Sequence, residues 1–304
     1  RLITWQDRRS LELHPITRQT HLQSLLERSD AEAIRRTGCR PSAGFLGTTL
    51  YTLRNTQTLP ATADRAALII DWLASNLTGA DLCTDRSNAA STGLFDLERD
   101  AWSPPLLAAA HVPVEMLPAV RERGAVLGTV TAEAAAWTGL PAGLPVCNAI
   151  GDNQAAIVGS LPADEEVAHI NIGTGGQFSR IVERFQVLPG LETRYLPQRR
   201  YMLVGAGLAG GDAIAWVQRT LAAWLRDCGI PQSDEELYRR LDTLMAGADP
   251  DAGGLECAPF FRGTRATPEL RGSFRGVDNQ NFTPGNVGRA VLNGMAAAFA
   301  TQHE

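Results

Sequence analysis

The feature that most restricts the fold is an alternation of two kinds of segment, which begins near Val126. Short apolar runs with glycine at their ends predict β-strands, and the segments between them carry apolar residues at helical spacing. The runs are VLGTV, LPVCNAI, VAHINI, YMLVGAG and LECAPFF, and the helix patterns cover 211–227, 233–247 and 286–303. Alternation of strands and helices is typical of an α/β protein with layered sheets.

The first part of the chain predicts mainly helices. One is expected from Asp64, which can cap it, to Leu77, with Gly79 ending it. Another is expected at 104–110, because a proline suits the first helical position. The small residues of SNAASTGLFD predict a segment that packs closely on its neighbours. A polar break, LPADEE, indicates a boundary between two domains of ordinary size.

Charge and residue usage exclude several classes of function. The net charge of −5 argues against nucleic acid and membrane surfaces as partners, because both favour a basic excess. The sequence has no lysine, so a P-loop or Schiff-base lysine is excluded within this chain. The cysteines are far apart and form no C-x-x-C pair, which argues against zinc ribbons and disulfide scaffolds. No apolar run approaches a membrane span, and we expect a cytoplasmic protein with buried thiols.

The glycine-rich stretch GTGG lies between two β-rich runs and predicts a hairpin turn at 173–176. Glycines let backbone N–H groups converge on an anion, and the Thr174 hydroxyl adds a donor. The stretch could therefore hold a phosphate without a lysine. A tight turn with no ligand explains the same glycines, since glycine-rich turns are common. The motif alone leaves both interpretations open.

Asp152 stands where an apolar run, 144–150, stops at Gly151 and a helix pattern begins. As a helix cap, its carboxylate would accept an N–H of the first turn, which is worth about 1 kcal/mol. As a functional group, it would lie where α/β proteins bind ligands, beyond the carboxyl ends of strands. There it could accept a proton from a substrate hydroxyl. Both roles use the same geometry.

Two further motifs have a functional and a structural interpretation. LAGGDAIAW, at 208–216, is a glycine-rich turn that opens a helix, where a phosphate or nucleotide could bind; a closely packed helix start would look the same. WQDRR, at 5–9, has the composition of a carbohydrate-binding wall, and equally of a salt-bridged structural corner. The five histidines show no metal or triad spacing, so we expect them to be structural.

The order of the motifs carries more information than any one of them. WQDRR, SNAASTGLFD, GDNQAAIVGSL, NIGTGGQF, LAGGDAIAW, APFFRGTRATPELRG and RAVLNGMAAAF follow one another along nearly the whole chain. This series resembles the FGGY family of carbohydrate kinases, and TDRSNAAS and LAGGD look most like the sedoheptulokinases within it. The resemblance implies two actin-like ATPase (ribonuclease H-like) α/β domains with a cleft between them, both incomplete here. Residues 1–161 would be the C-terminal part of the N-terminal sugar-binding domain, and 162–304 the N-terminal part of the C-terminal nucleotide-binding domain.

The resemblance also implies an activity and a set of site residues. The enzyme would transfer a phosphoryl group from ATP to a ketose hydroxyl, with sedoheptulose to sedoheptulose 7-phosphate favoured and Mg²⁺ bridging the phosphates. Asp152 would be the general base and would contact the sugar. The other implied site residues are Trp5 and Asp7 in the sugar pocket, and Gly173, Thr174, Gly175 and Gly211 around the nucleotide. The implied partners are a small-molecule sugar and ATP, and a homodimer is compatible with the resemblance.

The chain also departs from the family's pattern. A strand carrying D-x-G-T-[ST] and a later G-G-G-A-x-[SN] segment are absent from this sequence. We therefore expect a fragment that holds the middle of the enzyme and does not turn over ATP by itself. Gly44 and Gln177 stand where glycerol kinases carry a tyrosine and a phenylalanine, which suits a larger, more hydroxylated sugar. Xylulose, ribulose or glycerol as substrate remains open, as does a non-catalytic regulator that binds sugar or nucleotide.

Overall fold

The computed structural model describes residues 2–14, 16–122, 124–160, 168–261, 263 and 270–301. The chain divides into two compact units. Unit 1 comprises Arg1–Glu165, Ile181–Leu188 and Glu192–Leu203, and unit 2 comprises Glu166–Arg180, Pro189–Leu191 and Val204–Glu304. The domain boundary expected at 161 and 162 lies outside the described residues.

Unit 1 alternates helices with short strands. In chain order, these elements are α1 (His21–Arg28), α2 (Ala31–Arg36), α3 (Leu46–Asn55), α4 (Ile69–Thr78), β1 (Cys83–Asp85), α5 (Arg86–Ser91), β2 (Phe95–Asp96), β3 (Ala101–Trp102), α6 (Pro104–Ala110), β4 (Ala119–Arg121), β5 (Val126–Thr129), α7 (Ala132–Thr138), β6 (Pro145–Cys147) and α8 (Asp152–Ser160). The strands pair two by two, β1 with β4 in parallel, and β2 with β3 and β5 with β6 antiparallel.

The remaining elements follow from residue 168. They are β7 (Ala168–Ile172), β8 (Gly175–Val182), β9 (Glu192–Leu196), β10 (Arg200–Ala209), α9 (Gly211–Asp227), α10 (Asp234–Ala246), β11 (Glu256–Ala258), β12 (Ser273–Arg275) and α11 (Pro284–Thr301). Four strands form a sheet in the order β7–β8–β10–β9. The expected α/β architecture and the hairpin at GTGG are both present, since β7 and β8 are antiparallel and pair Ile172 with Gly176.

The core of unit 1 lies among α1, α3 and α6. Its largest contributions come from leucines and an aromatic ring on the faces where these helices meet, namely Leu25, Leu50, Tyr51, Leu106 and Leu107. Full burial of one such side chain stabilises the fold by about 1.5–3 kcal/mol. The small residues of α5 pack as closely as predicted, because Ala89 and Ala90 are buried in a second cluster with Phe95 and Tyr195.

Helix α4 begins later than the sequence predicts. The Ala66 N–H donates to the Met116 carbonyl at 2.8 Å, so the chain after Asp64 stays out of the helix until Ile69. The helix end is predicted correctly, since Gly79 follows in the left-handed region with φ of 69°. The difference has a physical reason: a backbone hydrogen bond to a residue fifty positions away outweighs a favourable local cap.

The apolar run before Asp152 is not the buried strand that its composition predicts. Only Pro145–Cys147 forms a strand, β6, which pairs with β5 in a two-stranded sheet. Leu144 is 43% exposed, and Cys147 is exposed as well. Apolar composition predicted the strand, but β6 pairs with β5 alone and its burial depends on what packs on that pair, which leaves Pro145 and Cys147 exposed.

The core of unit 2 lies among α9, α10 and α11. These helices share a buried apolar cluster that includes Val217, Leu241, Met245, Val291 and Met295. The helices α10 and α11 approach closely at Gly288, where a Cβ atom would lie 2.5 Å from the sulfur of Met245.

Candidate active site

Asp152 is the first residue of α8, and its side chain is exposed. Its Oδ1 accepts a hydrogen bond of 2.7 Å from the Asn153 N–H, and the Ala155 N–H donates to the Gly151 carbonyl at 2.8 Å. The carboxylate therefore accepts from the first turn, as a cap would, but it does so from the first helical position, because Gly151 is the N-cap residue whose carbonyl accepts the first helical bond. It remains open to solvent, which is what a group that accepts a proton from a substrate needs.

The loop before Asp152 is held by α5, which lies far from it in the sequence. The Gly151 N–H donates to Ser87 Oγ at 3.0 Å, and Asn88 Nδ2 donates to the Ala149 carbonyl at 3.0 Å. Ser87 Oγ in turn donates to Asp85 Oδ1 at 2.7 Å. Sequence reasoning missed this connection and used TDRSNAAS only for its resemblance. The available signal was Asp85 at the N-cap of α5, where its Oδ1 also accepts from the Asn88 N–H.

Two buried acids lie near this support. Burial raises the pKa of the Asp71 carboxyl to about 7, and the nearby Asp85 adds to that shift. Contacts with the Thr84 hydroxyl and the Leu68 backbone oppose it only in part, because they fall outside good hydrogen-bond geometry. Burial also raises the pKa of Asp85, against the hydrogen bonds from Ser87 and Asn88. Unit 1 thus keeps two carboxyl groups away from water, and one of them, Asp85, belongs to the support of the Asp152 loop.

The WQDRR segment forms a corner at the start of unit 1. Asp7 accepts hydrogen bonds from Arg9 Nε at 2.9 Å and Nη2 at 2.5 Å, and from the Arg9 backbone N–H at 3.1 Å. The indole of Trp5 is 74% exposed. The salt-bridged corner is therefore present, and it leaves an exposed aromatic face beside it.

Gly44 lies directly against this corner. Its φ is 85°, and a Cβ atom at this position would lie 1.9 Å from the Trp5 carbonyl oxygen. Only glycine allows the two segments to approach so closely. The structure thus places Gly44 against the backbone of Trp5, in the same segment as Asp7.

In unit 2 the GTGG hairpin packs against the start of α9. The Gly211 N–H donates to the Gly173 carbonyl at 2.8 Å, and the Asp212 N–H donates to the Thr174 carbonyl at 3.0 Å. A Cβ atom on Gly210 would lie 2.4 Å from the Gly175 carbonyl carbon. The predicted nucleotide residues Gly173, Thr174, Gly175 and Gly211 are therefore neighbours. The first N–H groups of α9 bind the hairpin, as in the closely packed interpretation of this helix start.

Packing excludes a side chain at one glycine of the hairpin but not at another. A Cβ atom on Gly176 would lie 2.5 Å from the Phe299 ring and 2.6 Å from the Ala209 carbonyl oxygen, so packing excludes a side chain there. Gly173 has no neighbour within 4 Å of such an atom, and its φ lies outside the left-handed region. Neither packing nor backbone conformation requires glycine at 173. Close approach of a ligand to the backbone would explain glycine at position 173.

Three further findings concern metal ligands, the segment GTRATPEL and membrane spans. Within the described ranges, no group of three or more His, Cys, Asp or Glu residues is placed to hold a metal ion. Most of the segment GTRATPEL lies outside the described residues. No described helix is both long and apolar enough to cross a bilayer.

One α/β unit carries an exposed acid on a braced loop, and the other carries a glycine hairpin packed on a helix start. Two such units are expected of the actin-like ATPase fold. The chain belongs to the FGGY family of carbohydrate kinases. Residues 1–159 match the N-terminal domain of that family, and residues 168–304 match its C-terminal domain.

Similar proteins share this fold and differ in what they act on. The chain is 32% identical to a glycerol kinase of Methylibium petroleiphilum, covering 97% of this chain and 57% of that protein. It is 27% identical to the sedoheptulokinase of Mus musculus, covering 97% of this chain and 60% of that protein. The crystal structure of xylulose kinase from Rhodospirillum rubrum aligns with a TM-score of 0.82 at 29% identity, over 93% of this chain and 56% of that one. The chain spans less than two thirds of the length of each of these relatives.

Proposed function

We propose that the full-length protein carrying this chain phosphorylates a ketose with ATP, and that sedoheptulose, giving sedoheptulose 7-phosphate, is its first candidate substrate. The observation that carries the proposal is the exposed carboxylate of Asp152 on a loop braced at Ala149 and Gly151. The substrate hydroxyl oxygen bonds to the γ-phosphorus as the bond to the leaving ADP oxygen breaks. The hydroxyl proton passes to Asp152, which chiefly orients the nucleophile.

The hairpin of unit 2 is the proposed site of the ATP phosphates. Gly173 has open space where a side chain would lie, although its N–H donates to the Gly175 carbonyl at 2.9 Å, and Thr174 is exposed and can donate its hydroxyl. Gly211 supports the site indirectly, through its hydrogen bond to Gly173. ATP would bind together with Mg²⁺, an ion that prefers oxygen ligands. The ion would neutralise charge on the transferred group.

The corner at Trp5 is the proposed sugar contact. Its exposed indole offers a flat apolar face to a sugar, and Arg9 holds the Asp7 carboxylate in one orientation for a sugar hydroxyl. Gly44 and Gln177 favour a larger sugar over glycerol. The identity to a glycerol kinase keeps glycerol as the main competing substrate, with xylulose and ribulose after it. We place the reaction in the cytoplasm, because all five cysteines are free thiols.

The test is ATP consumption by the full-length protein against a panel of sedoheptulose, xylulose, ribulose and glycerol, beside the variant Asp152→Asn. We expect turnover with one or more of these substrates and at least about a hundredfold loss in the variant. A variant rate within a few-fold of the wild type would contradict the role of Asp152. Binding of ATP and sugar by calorimetry without any turnover would favour the non-catalytic regulator instead.

A further inference from the structure

We propose that Ser87 and Asp85 are positioning residues for Asp152, through a buried hydrogen-bond chain that ends on the Gly151 backbone N–H. The inference rests on the proposed function of Asp152. The start of α5 would then position Asp152 for the reaction, in addition to capping its own helix. The partners are separated by 64 positions in the sequence but are joined directly by the Gly151–Ser87 hydrogen bond.

The chain of hydrogen bonds has a fixed direction. A serine hydroxyl has one proton, and Ser87 directs it to Asp85 Oδ1 at 2.7 Å. Its oxygen lone pairs are then left to accept from the Gly151 N–H at 3.0 Å. Asp85 and Ser87 are both more than nine-tenths buried, so water competes little for these bonds. The Asn88 N–H, at 2.9 Å from the same Asp85 oxygen, keeps that carboxylate in place.

The hydrogen bond to Ser87 restrains the backbone at Gly151, the residue before Asp152. A Cβ atom here would lie 2.5 Å from Gln154 Oε1, so glycine suits the position. A glycine does not restrict its own backbone torsions, and its orientation must be set from outside. Ser87 holds its N–H, and its carbonyl accepts from Ala155. Asp152 is the next residue, so a rotation at Gly151 would move its carboxylate directly.

A second contact holds the same loop. Asn88 Nδ2 donates to the Ala149 carbonyl at 3.0 Å, two residues before Gly151. Two consecutive side chains of α5 therefore bind two backbone groups of the loop that leads to Asp152. A misplacement of about 1 Å in a reacting group can cost on the order of a hundredfold in rate. Loosening this support should thus reduce kcat without removing any group that touches the substrate.

The experiment compares Ser87→Ala with a matched variant in the full-length protein. Thr92→Val removes a buried hydroxyl at the other end of α5, which bonds the Ala89 carbonyl and the Leu94 N–H and does not reach the Asp152 loop. We expect Ser87→Ala to lower kcat at least about tenfold, with the KM for ATP changed by less than about twofold. Thr92→Val should lose comparable stability and keep kcat within about twofold of the wild type.

A double variant separates positioning from a merely structural role. If Ser87 acts through Asp152, adding Ser87→Ala to Asp152→Asn should lower kcat by less than about twofold further. Ser87→Cys keeps the size of the side chain and weakens both hydrogen bonds, so a severalfold loss of kcat is expected even if Ser87→Ala does not fold. Full activity in Ser87→Cys, or losses in Ser87→Ala equal to those in Thr92→Val, would overturn the inference alone. Wild-type activity in Asp152→Asn would instead overturn the proposed function.

Discussion

The Gly211 backbone N–H donates a 2.8 Å hydrogen bond to the Gly173 carbonyl and so ties the start of α9 to the GTGG hairpin. This hydrogen bond changes the interpretation of the two glycine-rich motifs, GTGG and LAGGDAIAW. Each resembles an anion site when considered separately, but the helix start uses its first N–H groups to hold the hairpin. Within the hairpin, the Gly173 N–H donates to the Gly175 carbonyl at 2.9 Å, but no atom lies within 4 Å of where a Gly173 side chain would stand. The predictions for nucleotide binding therefore concern the glycines of the hairpin.

Gly173→Ala should weaken ATP binding without destabilising the fold. No atom lies within 4 Å of the added Cβ, and the backbone conformation accepts alanine. If the γ-phosphate approaches this backbone, the methyl group would obstruct it, and we expect Kd for ATP to rise at least about tenfold. Calorimetric titration of the full-length variant with ATP, beside a thermal melt, measures both quantities.

Gly176→Ala provides the contrast for that measurement. Its Cβ would lie 2.5 Å from the Phe299 ring and 2.6 Å from the Ala209 carbonyl oxygen. Forcing a methyl group into such a site costs about 1–3 kcal/mol of stability. We expect a lower Tm for this variant and an unchanged one for Gly173→Ala. A Gly173→Ala protein that binds ATP as tightly as the wild type would remove the support for the phosphate site.

Asp71 should make unit 1 less stable as pH rises. Its folded-state pKa of about 7 exceeds the ordinary value of 3.8, so the folded chain binds the proton more tightly than the unfolded chain. Stability is then greatest below about pH 4 for this group and falls as pH rises towards 7, by a total on the order of 2–4 kcal/mol. Asp85 shifts in the same direction and adds to the trend.

Asp71→Asn tests this account, because an amide of nearly the same shape cannot ionise. We expect the variant to be more stable than the wild type at pH 8 and to show a smaller loss of stability between pH 5 and pH 8. Urea unfolding at both pH values gives the two free energies of unfolding. Equal losses in variant and wild type would show that the Asp71 proton does not contribute.

Gly44→Ala should disturb sugar binding through the Trp5 corner. The added Cβ would lie 1.9 Å from the Trp5 carbonyl oxygen, so this segment has to move. We expect the KM for the sugar to rise at least about tenfold while the KM for ATP stays within about twofold. Gly143→Ala is a matched control, since its φ of 84° is equally unfavourable to alanine but nothing lies within 4 Å. The control should lose stability alone, and a rise in its sugar KM would contradict the argument.

Local chemistry made part of this fold predictable. The hairpin at 173–176, the proline start of α6 and the glycine end of α4 follow from residues that act within one turn. The late start of α4 could not be predicted, because it depends on a hydrogen bond between Ala66 and Met116. The support of Asp152 by Ser87 depends on partners 64 positions apart, and the local signal, Asp85 as the N-cap of α5, does not show which loop the helix holds. The sequence thus predicts which groups belong to the candidate site, whereas long-range contacts decide how they are held.

Trp5→Ala should separate sugar contact from stability. The indole is 74% exposed, so its removal takes little buried area from the fold, and we expect the free energy of unfolding to change by less than about 0.5 kcal/mol. If the indole lies against the sugar, the KM for the ketose should rise at least about tenfold, with kcat less affected. Trp137, at 57% exposure on α7, provides the control Trp137→Ala, which should change neither quantity. Steady-state kinetics and urea unfolding of both variants decide the matter: an unchanged ketose KM in Trp5→Ala would place the sugar elsewhere in the protein.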